Sequence, residues 1–155
     1  VISCTIHKND GKSTGGGVQI RTADAKVRIY NSVIAGNIAT TAGMEDIGYD
    51  NESAARAVIR NSVVGAAVYD AGGSIAEGAQ FDAATMFGSF GDNGGHTSTI
   101  ALTGSDNPAV TGGMSASELS ALAKDTLVPA ADAGLVTKDQ TGADRSGRQM
   151  GACVR

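Results

Sequence analysis

Apolar and polar positions alternate over Val27–Tyr30, VRIY, and change phase after Asn31 in the following SVIAGN. The pattern returns in AVIRNSVVGA, Ala57–Ala66, and part of it opens the chain as VISCTIHKN, Val1–Asn9. Ungapped alignment puts Val1, Ile29 and Ile59 in one column, Ser3, Asn31 and Asn61 in a second, and Cys4, Ser32 and Ser62 in a third. Ile6, Ile34 and Val64 form a fourth, and Asn9 matches Asn37. A β-branched, alternating unit recurring about every 29 residues predicts stacked short strands rather than helical repeats.

The phase change at Asn is the signature of a tight bend, because Asn tolerates the left-handed backbone region. A further strand around Val18–Ile20 has its counterpart at Ile47. Strands that stack like over like predict an all-β chain, a parallel β-helix of about three coils, in preference to a β-sandwich. Past Val64 the columns are lost. The pattern thus divides the chain into coils over 1–80 and a C-terminal coil with an irregular cap over 81–155. One helix is predicted there, over Met114–Thr126, with Ser115 and Glu118 as a capping box and Leu119, Leu122 and Ala123 as its apolar stripe. All three Phe residues fall within Phe81–Leu102, where larger side chains are expected to close the end of a narrow core.

Aromatics are 4% of the 155 residues and Trp is absent, so the core must be filled by aliphatic side chains. A net charge of −4 carries no nucleic-acid footprint. No apolar run reaches the length of a membrane span. The two cysteines do not make a disulfide framework. Cys4 shares a column with serines and reads as a small buried residue; a bridge to Cys153 would require a tail that folds back to the first coil.

Candidate chemistry is sparse. Asp10–Gly17, DGKSTGGG, lacks the GxxxxGK[ST] spacing of a phosphate loop. Asp46 and Asp50 lack calcium-loop spacing and read as solvated turn acids, so no metal and no cofactor are expected. His7 alternates outward, and His96 follows the turn signal DNGG with no GxSxG nucleophile anywhere. No catalytic residue is assigned. Asp139 and Arg145, six residues apart across a glycine turn, read as a bidentate clamp that pins the terminal segment.

Two C-terminal stretches carry a family resemblance. FGDNGGHTSTIALTGSDNPAVTGG, Phe90–Gly113, and TKDQTGADRSGRQMGACVR, Thr137–Arg155, resemble the closing motifs of bacterial secreted β-helix proteins of the choice-of-anchor Q type, related to polymorphic outer-membrane protein repeats. Asn107 replaces that family's usual Ser, and Ser115–Thr126 looks inserted. The resemblance implies a right-handed parallel β-helix exported by a bacterium, placing the chain outside the cell as a secreted or cell-surface protein. It implies no single activity.

The expected function is a structural or binding module, the capping part of a surface β-helix engaged in adhesion or polymer binding. The alternative is the C-terminal part of a polysaccharide-active lyase or hydrolase with its active site on missing coils. Asp24, Lys26, Arg28 and Arg60 supply lyase residue types but no acid cluster. The expected partner is a set of missing N-terminal coils, or another protein chain, at the open N-terminal end. If Ile29 and Ile59 point inward, then Arg28, Tyr30 and Arg60 point outward as a ligand face for polysaccharide.

Overall fold

The computed structural model describes residues 1–21, 27–49, 57–65, 74–77, 82–125, 132 and 134–153. Eight short strands come first: β1 (Thr5–Ile6), β2 (Val18–Ile20), β3 (Val27–Tyr30), β4 (Val33–Ile34), β5 (Ile47–Tyr49), β6 (Ala57–Arg60), β7 (Ser62–Val64) and β8 (Ser74–Glu77). They form three parallel sheets, ordered β1-β4-β7-β8, β2-β5 and β3-β6. Ile29 pairs with Ile59, Val18 with Ile47, and Ile6 with Ile34, which stands beside Val64. Those are the pairs the sequence columns predict.

The bends between β3 and β4 and between β6 and β7 are left-handed at Asn31 (φ 51°) and Asn61 (φ 46°), with Ser3 (φ 51°) at the equivalent place in the first copy. Each bend flips the side-chain phase. Ile29, Ile34, Ile59 and Val64 therefore meet Ile20 and Ile47 in one buried aliphatic cluster. Burying each such side chain contributes roughly 1.5–3 kcal/mol, more than any single ladder hydrogen bond at about 1 kcal/mol. Packing thus holds strands of two to four residues that pairing alone would not.

The sheets are covered outside as well. Val33 and Val63 point away from the inner cluster and bury against Phe87, Leu102, Ala109 and Met150. The cover comprises α1 (Ala83–Met86), the antiparallel pair β9 (Phe87–Gly91) and β10 (Thr99–Leu102), α2 (Pro108–Thr111) and the tail. On the neighbouring sheet, Tyr30 buries with Met114 and Leu119, and Val58 packs against them. These last contacts seat α3 (Ala116–Asp125), whose start is the expected capping box: Glu118 accepts from Ser115 N (2.8 Å) and Ser115 Oγ accepts from Glu118 N (3.3 Å).

This corrects the expected architecture. The chain is not all-β and not a right-handed parallel β-helix with a cap holding one short helix. It is mixed α/β, with three α-helices among the described residues and parallel strands in three separate, small, flat sheets, none curled or closed into a solenoid. The physical reason lies on the outer faces. Val33, Val63, Tyr30 and Val58 make them apolar, and apolar faces recruit helices and tail where a solenoid would meet water. The capping-module function, the stacked-repeat architecture, adhesion and the lyase alternative all presupposed that solenoid and go with it; the sequence columns survive as in-register pairing of short strands. Among the described residues no helix is long and apolar enough to cross a membrane.

Candidate binding groove

Strand β1 lies at the edge of its sheet. The Cys4 and Ile6 carbonyls accept from Val33 N (2.8 Å) and Ala35 N (3.2 Å), so both are committed to β4. In a parallel ladder alternate residues bond to alternate sides, so the N–H and C=O of Thr5 face away from the sheet.

Two cavities follow this edge and meet at Thr5. One, about 460 Å³, lies between Ile2–Thr5 and a wall that includes Leu135, Val136, Asp139 and Arg145. The other, about 610 Å³, lies between Thr5–Asn9 and the hairpin residues Phe90 and Ile100. Together they form a groove alongside Ile2–Asn9, a stretch extended at β1 and bent at Ser3 and Lys8.

The near end is built by the tail. Thr5 Oγ1 accepts from Ala152 N (3.1 Å). The Asn31 amide donates to Ser3 Oγ (3.0 Å) and the Gln149 carbonyl (3.2 Å), while its oxygen accepts from Met114 N (2.7 Å). Arg145 is 4% exposed and donates to the carbonyls of Lys138 (3.2 Å), Gln149 (3.3 Å) and Gly151 (2.7 Å). Asp139 Oδ1 accepts from Thr141 N, Thr141 Oγ1 and Ala143 N, shaping the glycine turn. The expected clamp therefore pins the tail through backbone carbonyls, not solely through carboxylate and guanidinium. Burial pushes the Arg145 guanidinium below its ordinary value, and the neighbouring Asp139 carboxylate opposes that shift.

At the far end His7 is not the free outward residue its alternation suggested. Its ring lies 4.3 Å from Phe87, and Nδ1 stands 2.7 Å from the Ala35 carbonyl. A carbonyl only accepts, so Nδ1 carries the proton. Lys8 lines this cavity and an adjoining one of about 670 Å³ beside Ile38 and Phe90. It is exposed, makes no ion pair among the described residues, and has φ 58°. The equivalent position in the second copy is Gly36 (φ 69°), so a lysine stands where a glycine would be unstrained, costing about 1 kcal/mol.

The predicted ligand face is only partly on the surface. Arg28 and Arg60 are exposed, and Tyr30 pairs in register with Arg60. Tyr30 itself is 5% exposed, beneath Met114 and Leu119, so its ring is not offered to a sugar. Helix α3 takes the face that alternation assigned to solvent. Asp24, Lys26 and Asp50 lie outside the described residues, as does Phe81. Asp46 is no solvated turn acid: it is 2% exposed and accepts from Asn37 N (3.0 Å) and Nδ2 (2.7 Å). Phe87 joins the core as expected, whereas Phe90 is 71% exposed on the groove wall. Nothing in the pattern marked Phe90, because the strand signal of its segment did not show which partner it would lack.

No protein-family model, no curated protein and no solved structure matches the chain. The resemblance to secreted β-helix proteins of the choice-of-anchor Q type is thereby corrected on both counts, sequence and architecture. Its motif residues are accounted for locally. Asn93 donates to the Thr99 carbonyl (2.9 Å), Asn107 caps α2 at Ala109 N (2.9 Å), and Asp139 and Arg145 order the tail.

Proposed function

We propose that the chain is a protein-interaction module that takes an extended segment of a partner protein into the groove along β1. The observation that carries this is the outward-facing Thr5 N–H and C=O at the junction of two continuous cavities. A strand added there gains main-chain hydrogen bonds at Thr5, and its alternate side chains meet the apolar walls at Leu135 and Val136 and at Phe90 and Ile100. Lys8 selects a partner segment with an acidic side chain near its far end. The secreted or cell-surface location expected from the sequence belongs to this proposal, and cell fractionation tests it separately.

The test uses a displayed library of extended eight-residue peptides selected on the full chain. The selected peptides are expected to be apolar-alternating with one acid, to protect the Thr5 amide from hydrogen exchange, and to bind Lys8→Glu at least tenfold more weakly. Peptides that leave the Thr5 amide unprotected, or bind Lys8→Glu equally well, would overturn the reading.

A further inference from the structure

Both cysteines of the chain carry free thiols, and the tail brings them to the same end of the groove. Cys153 follows Ala152, whose N–H is bonded to Thr5 Oγ1, and Cys4 precedes Thr5. One residue further back, a Cβ placed on Gly151 would stand 3.9 Å from the Cys4 carbonyl oxygen. The two residues before Cys153 thus lie against Cys4 and Thr5. Arg145 reaches across them, bonded to the Gly151 carbonyl. The accessibilities differ: Cys4 is half-buried and lines the groove, whereas Cys153 is 1% exposed.

We propose that Cys4 and Cys153 are a dithiol that a small disulfide of the glutathione class oxidises to an intramolecular bridge, fastening the tail to β1. The steps follow from exposure. The Cys4 thiolate, reachable from the groove, attacks one sulfur of glutathione disulfide; that S–S bond breaks, and one glutathione leaves as thiolate and takes a proton. The buried Cys153 thiolate then attacks the Cys4 sulfur of the mixed disulfide and expels the second glutathione. Two protein thiols are oxidised and one glutathione disulfide is reduced to two thiols, so electrons and protons balance.

The column gives a control that keeps the fold. Cys4 Sγ donates to the Ile2 carbonyl (3.2 Å), as Ser32 Oγ does to Tyr30 (2.8 Å) and Ser62 Oγ to Arg60 (2.9 Å). Cys4→Ser therefore preserves the hydrogen bond and removes only the sulfur chemistry. The full chain is incubated with excess oxidised glutathione, alkylated, and measured by intact mass and peptide mapping. Wild type is expected to become a monomer lighter by two hydrogens, with both thiols protected and a melting temperature raised by roughly 5–15 °C. Cys4→Ser is expected to show neither change. Glutathione retained on either cysteine, a disulfide between two copies, or two thiols still open to alkylation would each overturn the proposal. With the peptide-binding test run on reduced protein, the two readings fail independently.

Discussion

In the first half of the chain, one set of hydrogen bonds joins partners 28 or 30 positions apart: Cys4 N to Ser32 Oγ, Ser32 N to Ser62 Oγ, Asn9 to Asn37. In the second half the partners are unlike. Asn107 serves Met86 and Thr103 carbonyls, and Arg145 serves Lys138, Gln149 and Gly151. The first region repeats one solution, so the loss of one bond leaves its neighbours to hold register. The second relies on single polar side chains, each bonding several backbone groups at once. Apolar burial is the main support of the one, and backbone satisfaction of the other.

The sharpest way to break this comparison is to attack the shared inner cluster. Ile34→Asp puts a charge into a site that is fully buried between three sheets, and should cost more than about 4 kcal/mol. Circular dichroism should show an unfolded chain at 25 °C; a cooperative transition near that of wild type would mean the cluster is not the principal support.

Arg145→Ala tests the other mode. It removes a donor from three carbonyls at once, of which only that of Gln149 keeps another, the Asn31 amide, and a loss of about 3 kcal/mol is expected in urea unfolding. Limited proteolysis should cut the tail before any bond within 27–65. Simultaneous cleavage of both regions would show that they are one cooperative unit.

How much of this was legible in the sequence follows the same division. Ile29, Ile59, Ile34 and Val64 announced their own partners, because a repeated column fixes register without knowledge of the rest of the chain. What alternation does not report is what lies beyond a face. Tyr30 and Val33 sit on outward positions in the pattern, and only the fold shows α3 and the tail arriving over them. Ser115 and Glu118 were readable since a capping box is local. The groove was half-readable: the open edge at the first copy stood in the columns, but its walls at Phe90 and Leu135 come from residues far along the chain.

The smallest effect sharpens the comparison at the seam. Glu118 is held below its ordinary value of 4.5, first by the Ser115 backbone N–H, then by the Ser115 hydroxyl and Arg148. A depressed carboxyl contributes stability that is present above that ordinary value and lost as pH falls through its folded value. The stability difference between wild type and Glu118→Gln should therefore be largest near neutrality and shrink below pH 4.5. A difference that stays constant into acid would assign the cap to hydrogen bonding alone.

The Asn31 side chain reaches a carbonyl 118 positions away, and the Thr5 hydroxyl takes an N–H from 147 positions away. During synthesis the first strand must therefore wait, its outer face uncovered, until the last residues of this stretch have left the ribosome. Closing so long a loop costs little more free energy than closing a short one, but it makes folding late. The sheets are able to assemble in order as each copy emerges, whereas the outer core is completed only when Met150 and the tail have emerged. Through that interval Val33 and Val63 are open to other chains, and the hazard of misassembly falls on the outer faces and not on the repeated interior.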